Sequence, residues 1–133
     1  MSIRRVTTSS VAEAEPGLWS NCLVVGDIAY FSGLTARGMD GKTIIGADEH
    51  AQTRTIFEKF KALVEAAGGS MADIVKITVY VTNIANRQQV WAARREFFTG
   101  DFPTSALVEV SKLASPEILV EIEGIAHIGA GRR

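Results

Sequence analysis

The stretches Phe102–Val110 (FPTSALVEV) and Leu119–Ala126 (LVEIEGIA) carry the most information about the fold of this chain. Both are rich in apolar and β-branched residues and lie next to turn residues, which is typical of strands. They predict two consecutive strands, Ser105–Ser111 and Ile118–Ile128, joined by a loop that contains Ser115-Pro116. The chain therefore ends in a pair of strands, around which the earlier elements have to pack.

Two glutamates lie two residues apart in the second of these strands. A period of two places Glu121 and Glu123 on one face and Val120 and Ile122 on the other. Neighbouring carboxylates repel each other, and burial disfavours their charged form, so the pKa of at least one is expected to rise towards a value useful for a general base. The alternative from the pattern alone is a wet or salt-bridged face with no catalytic role.

Upstream of this pair, strand and helix patterns follow one another. Gly26-Asp27 separates two short apolar runs, which indicates a β-hairpin. Apolar residues at helical spacing predict an amphipathic helix that Gly68-Gly69 ends, and Asn86 is expected to cap a second helix. The predicted strands are Ile3–Val6, Cys22–Val25, Ile28–Gly33 and Ile74–Thr82, and the predicted helices are Asp48–Ala67 and Asn86 to about Thr99.

The order β-ββ-α-β-α-β-β predicts an α+β fold in which two helices cover one face of a mixed sheet. In the strand at 74–82, a period of two places Val75, Ile77, Val79 and Val81 on one buried face. The second face of the sheet has no helix to cover it. Another subunit is a common cover for such a face, so the pattern predicts an oligomer.

Length and charge fit one compact domain spanning residues 1–133. The chain has 133 residues, of which 47% are hydrophobic, enough for one core but not for a second module. The formal net charge is −1, whereas nucleic-acid binding normally requires a one-sided positive surface. No nucleic-acid partner is expected, and the basic pairs Arg94-Arg95 and Arg132-Arg133 are interpreted as solvated surface.

Cysteine, histidine and hydropathy patterns exclude further classes. Cys22 is the only cysteine, so an intramolecular disulfide and a CxxC zinc pair are excluded, and the thiol is interpreted as a small buried hydrophobe in a reducing compartment. His50 and His127 stand far apart without a metal-binding motif, so no metal is expected. No signal-peptide pattern and no apolar run of roughly 18 residues is present, which predicts a soluble, cytoplasmic protein with no membrane partner.

In order and spacing, these segments resemble the RidA/YjgF family of reactive intermediate deaminases, also called L-PSP endoribonuclease-like proteins. The resemblance covers nearly the whole chain. It implies a chorismate mutase-like fold assembled as a homotrimer, with helices outside, sheets forming a barrel-like centre and clefts between subunits. The residues that carry it are VGD at 25–27, FSG at 31–33, AQTR at 51–54, EAAG at 65–68, DIVKITVYV at 73–81, FF at 97–98 and the two opening stretches.

The resemblance also implies a cofactor-independent hydrolysis of imines or enamines. Glu121 aligns with the family glutamate that orients the attacking water and is the predicted catalytic residue, while Glu123 and Glu109 are expected to pair with arginines at a subunit boundary. In deaminating members, an arginine two residues after the proline grips the substrate carboxylate; here that position is Ser105. A hydroxyl cannot replace a guanidinium in charge or in paired hydrogen bonds. Leu107 replaces a family cysteine, so the pocket is expected to be more apolar.

Further binding candidates lie near the N-terminal half of the expected cleft. Trp19 stands near the family's N-terminal tyrosine and is interpreted either as lining the cleft or as an aromatic anchor in the core. Arg37, just after Ser32-Gly33, and Arg94 on the second helix are candidates to replace the missing arginine, with surface exposure as the alternative for each. The predicted substrate-binding set is Trp19, Ser32, Gly33, Arg37, Ser105, Ala106 and Leu107.

Three functions remain open from the sequence. The first is deamination of an enamine or imine other than a simple 2-imino acid, for example an aminomuconate-like compound, because Ser105 leaves the usual clamp absent. The second is a non-catalytic trimer that holds a small metabolite in its clefts and regulates or protects a partner. The third, an endoribonuclease, is disfavoured by the near-neutral charge and the lack of a histidine pair.

Overall fold

A computed structural model describes residues 2–131 of the chain, so the prediction for Arg132-Arg133 lies outside it. Six strands and two helices follow the predicted order. The strands are β1 (Ile3–Arg5), β2 (Cys22–Val25), β3 (Ile28–Leu34), β4 (Ile74–Val81), β5 (Thr104–Glu109) and β6 (Val120–His127), and the helices are α1 (Glu49–Ala66) and α2 (Arg87–Arg94). Short 3-10 turns at Met71–Asp73 and Ile84–Asn86 precede β4 and α2.

The strands form one mixed sheet in the order β1-β2-β3-β6-β4-β5. The hairpin between β2 and β3 turns at Gly26, whose φ of +61° fits the first central position of a type II′ turn. Strand β6 pairs antiparallel with both β3 and β4, and β5 pairs parallel with β4 at the edge. This confirms the mixed sheet with two helices that the sequence predicts.

Helix α1 supplies the largest apolar surface to the sheet. Asp48 caps its start by accepting a hydrogen bond from the Ala51 N–H at 2.8 Å. At its end, Gly68 takes a φ of +97°, and the Gly69 N–H donates to the Val64 carbonyl at 2.8 Å, which is a Schellman cap. The side chains buried between α1 and the sheet include Ile56, Phe57, Phe60, Leu63 and Val64.

Helix α2 is shorter than predicted. It ends at Arg94 rather than near Thr99, and the chain continues in turns. The turns bring Phe97 and Phe98 onto the same ring of Phe57, with ring centroids 5.6 and 5.3 Å away, and a continued helix would have rotated the two rings to different sides.

Asn86 lies at the N-cap position of α2, as the sequence predicts, but the expected capping bond is absent. The bond is absent because the Asn86 amide donates to the buried Glu49 carboxylate at 2.7 Å. Asn83 instead caps the preceding 3-10 turn by accepting from the Ala85 N–H. The amide therefore ties α2 to the start of α1.

One residue of β4 departs from the predicted alternation. Ile77, Val79 and Val81 are buried as expected, but Val75 is 39% exposed. The pairing of β4 with β6 shifts register between Ile74 and Lys76, and a bulge of this kind turns the extra residue away from its expected face.

The two faces of the sheet differ sharply in cover. Val120, Ile122 and Ala126 of β6 are fully buried beneath the helices. Gly124 completes this face, because a side chain there would lie 3.1 Å from the Phe60 ring. The opposite face, which carries Glu121 among others, has no helix of the described chain over it.

Candidate functional site

An irregularity in β3 places a glycine against the predicted catalytic glutamate. The pairing of β3 with β6 shifts register between Phe31 and Leu34, so Ser32 and Gly33 occupy a bulge. A Cβ built on Gly33 would lie 2.5 Å from Glu121 Oε2, closer than atoms in van der Waals contact. The Glu121 carboxylate therefore rests directly on the Gly33 backbone.

Glu121 has the surroundings of a general base. Its side chain is half-buried on the uncovered face of the sheet, and no hydrogen bond to it is made by the residues at 2–131. Burial, and secondarily the nearby Glu123 carboxylate, raise its pKa above the ordinary value. A carboxylate of raised pKa and free lone pairs is able to accept a proton from water.

The neighbouring glutamates have partners within the chain other than the arginines expected at a subunit boundary. The Tyr80 hydroxyl donates to Glu123 Oε1, and this hydrogen bond is the main cause that raises the Tyr80 pKa. Glu109 accepts from the Ile84 N–H at 3.1 Å. The predicted arginine pairs concern a second subunit and stay a prediction.

A cavity of about 540 Å³ opens beside Gly33. Trp19 lines it and is 56% exposed, so the alternative of a core anchor is wrong. Its indole N–H donates to Asn21 Oδ1 at 3.3 Å. Ser32 does not line the cavity; its hydroxyl donates to the Ser20 carbonyl and holds the loop that carries Trp19.

Two of the three basic residues that line this cavity are Arg37 and Lys59. Arg37 follows β3 and donates to the Gly41 carbonyl at 3.2 Å. Lys59 of α1 donates to the Thr35 carbonyl at 2.6 Å. Burial, with a smaller contribution from the Arg37 charge, lowers the Lys59 pKa to about 8. The helical pattern did not single out Lys59, because only the fold brings α1 against the end of β3.

The candidates of the opening stretch lie elsewhere within one copy of the chain. Strand β4 separates β5 from β6, and Ser105 and Leu107 pair with Ile77 and Val79, whose side chains point to the helix face. Ala106 shares the uncovered face with Glu121 but stands two strands away, about 10 Å. The chain by itself thus brings Gly33, Arg37 and Trp19 together in one cavity, with Glu121 against Gly33, and leaves Ser105–Leu107 apart.

Two further candidates are resolved by their burial. The prediction that Arg94 is a solvated surface group is wrong. Its Nε and Nη2 atoms are buried without a hydrogen-bond partner among residues 2–131, and burial lowers its pKa. It does not line the cavity beside Gly33. Cys22 is 1% exposed and burial raises its pKa to about 11, which confirms a packing role and leaves an unreactive thiol.

Residues 2–131 also lack the patterns of metal sites and membrane-spanning helices. No cluster of three or more His, Cys, Asp or Glu side chains is placed to hold a metal ion within residues 2–131. Neither helix there combines the length and apolar character needed to span a membrane.

Comparison with known proteins gives matches over most of the chain. Residues 10–128 match the family model described as endoribonuclease L-PSP. A crystal structure of a protein of unknown function from Pseudomonas aeruginosa is 40% identical, with 96% of this chain and 94% of that chain covered and a TM-score of 0.85.

Two further solved structures are similar over nearly their full length. A protein of unknown function of the conserved Rid family from Yersinia pestis is 33% identical, covering 96% of this chain and 100% of that chain with a TM-score of 0.86. RidA from the Antarctic bacterium Psychrobacter sp. is 30% identical, covering 94% and 99% with a TM-score of 0.84.

Proposed function

Because this chain belongs to the endoribonuclease L-PSP family, which includes the RidA/YjgF proteins, we propose that it is a cofactor-independent hydrolytic deaminase of an imine or enamine. The observation that carries the proposal is the Glu121 carboxylate, half-buried, of raised pKa and seated on Gly33 beside an open cavity.

The proposed reaction needs one general base and water. An enamine first takes a proton at its carbon and loses one from its nitrogen, which gives the imine. Glu121 then removes a proton from water as the water oxygen bonds to the imine carbon and the nitrogen takes up a proton from solvent. The Glu121 proton passes to the nitrogen of the resulting carbinolamine, the C–N bond breaks, and ammonia leaves. The hydroxyl proton is lost as the C=O bond forms, so one imine and one water give one carbonyl compound and one ammonia.

We place the complete site between copies of the chain. The uncovered face of the sheet exposes Tyr30 and Val108 by 46% and 40%, and a second copy would cover such a surface. A homotrimer is the assembly that the family resemblance implies. In that arrangement β5 of one copy, with Ser105, Ala106 and Leu107, would face Glu121 of its neighbour. Light scattering that gives a monomer mass at micromolar concentration would contradict this assembly.

The test of the reaction is ammonia release from imines and enamines generated in solution. Replacing Glu121 by Gln removes the base but keeps size and hydrogen-bonding capacity, and a loss of about 100-fold or more is expected. Equal rates for wild type and the Gln variant would remove Glu121 from the mechanism. Binding of the same compounds without release of ammonia would instead support a non-catalytic metabolite-binding trimer.

The charge of Glu123 provides a second test of the role of Glu121, through the pH dependence of the reaction. Because the Glu123 charge helps to raise the Glu121 pKa, the Glu123→Gln change is expected to move the acid limb of the kcat/KM profile to lower pH. Ribonuclease activity is tested separately with an RNA substrate in the same buffer. No cleavage is expected, because the net charge of −1 offers no strong attraction for a polyanion.

A further inference from the structure

Lys59 and Arg37, two of the three cations of the cavity beside Gly33, form no salt bridge with the acidic residues that the structure describes. Lys59 and Arg37 each donate to a backbone carbonyl, at 2.6 and 3.2 Å. They are close enough for the charge of one to affect the pKa of the other. Like charges held together in a partly buried wall are unfavourable unless an anion joins them.

The acidic side chains of the same cavity are engaged by other groups or exposed to solvent. Glu13 binds Arg5 at 2.7 Å. Asp40 accepts from Thr43 and from the Lys42 N–H within its own turn, which lowers its pKa to about 2. Glu15 is solvent-exposed. With Lys42, the cavity lining carries three basic and three acidic side chains, a balance that suits one monoanionic group better than a phosphate dianion.

From this placement we infer that Lys59 and Arg37 together bind a carboxylate of the substrate at a point several bonds from the carbon that is hydrolysed. The identity of the reacting carbon rests on the proposed deaminase function. The binding of an anion by Lys59 and Arg37 does not depend on that function. Lys59 thus has a binding role, and the substrate class is imines or enamines with a remote carboxylate.

The spacing of the site sets this distance. Glu121 touches Gly33, whereas Lys59 touches Thr35, two residues further along the chain. Lys59 and Arg37 line the cavity, whereas Glu121 does not line it and meets its edge only through Gly33. In a 2-imino acid, the carboxylate is bonded directly to the imine carbon, about 1.5 Å away. If such a carboxylate lies between the two cations, its imine carbon stays inside the cavity with it and does not reach Glu121.

The titration of Lys59 gives the site a pH dependence. The other charged side chains that line the cavity are Arg37, Lys42, Glu13, Glu15 and Asp40. With a pKa of about 8 in the free protein, Lys59 loses its charge as the pH rises above that value. Affinity for a carboxylate is therefore expected to fall from pH 7 to pH 9.

The test uses unreactive ketones that resemble the hydrolysis products. Titration calorimetry at pH 7 compares 5-oxohexanoate, whose carboxylate is remote, with 2-oxobutanoate, whose carboxylate is adjacent to the carbonyl. Tighter binding of 5-oxohexanoate is expected, together with a loss of at least about tenfold in Lys59→Gln and in Arg37→Gln. The matched control is Lys61→Gln, which removes an exposed lysine of the same helix and should leave the affinity unchanged.

The outcomes separate this inference from the proposed reaction. Unchanged 5-oxohexanoate affinity in Lys59→Gln, equal affinity for 2-oxobutanoate, or stronger competition by inorganic phosphate would each overturn the remote-carboxylate site. Lys59→Arg should retain the affinity and lose the decline between pH 7 and pH 9. If the Lys59 effect on binding is present but Glu121→Gln releases ammonia as fast as wild type, the anion site stands and the proposed base falls.

Discussion

Replacing Gly33 by Ala is expected to disable Glu121 without unfolding the protein. The added Cβ would lie 2.5 Å from Glu121 Oε2 and 3.0 Å from its Cδ. An ordinary carbon–oxygen contact is nearer 3.5 Å, so the carboxylate has to move by about 1 Å. A misplacement of that size costs a catalytic group about 100-fold in rate. The expected result is a fall of about 100-fold in kcat/KM for ammonia release.

The backbone at Gly33 accepts alanine without strain. Its φ is not among the positive values found at other glycines of residues 2–131, and the conflicting atoms belong to the end of a flexible side chain. The free energy of unfolding should therefore stay within about 1 kcal/mol of wild type, since alanine also restricts the unfolded chain. Urea denaturation and the ammonia assay, carried out on the same preparation, measure the two effects separately.

A double substitution shows whether the two effects share one cause. If Gly33→Ala acts only by displacing the carboxylate, adding it to Glu121→Gln should produce no further loss. An activity of Gly33→Ala equal to wild type would show that the position of the carboxylate is not critical. Additive losses in the double variant would show that Gly33 acts on the substrate by another route.

Three further expectations concern stability. Lys59→Met should raise the free energy of unfolding by about 1 kcal/mol at pH 7, after allowance for solvent screening and the lost hydrogen bond to Thr35. Because the folded-state pKa is lowered to about 8 from 10.5, wild type recovers stability as the pH rises through that window, and an advantage of the Met variant that is constant with pH would contradict this. Asp73→Ala should cost about 3 kcal/mol in urea unfolding, since the buried carboxylate accepts from the Ser70, Gly129 and Gly131 N–H groups, and a loss below about 1 kcal/mol would refute it. Phe57→Ala should cost about 4 kcal/mol, because the fully buried ring contacts Phe60, Phe97 and Phe98; thermal unfolding measures this, and a Tm within a few degrees of wild type would contradict it.

Local patterns were sufficient wherever one element governs a residue's environment. The alternation of β6 placed Glu121 opposite the buried Val120 and Ile122, and the burial agrees. The apolar spacing of α1 and its terminal glycines gave that helix to within one residue at each end. These features depend on side-chain periodicity and capping, both of which are set by neighbours in sequence.

Local patterns failed where neighbours distant in sequence override them. A bulge exposed Val75, and packing on Phe57 ended α2 before Phe97. The sheet order placed β4 between Ser105 and Glu121, although the two residues belong to the stretches that identify the family. No pattern in the sequence shows that β4 lies between them in the sheet.

Periodicity and motif order are enough to predict the α+β class, the family and the face on which Glu121 lies, because they encode these features directly. The surroundings of that glutamate follow from the packing of the chain. The β3 bulge brings Gly33 beneath the carboxylate, and the packing of α1 brings Lys59 beside Arg37. These contacts join residues far apart in the chain, and their energies depend on distances that exist only after the sheet and helix have packed.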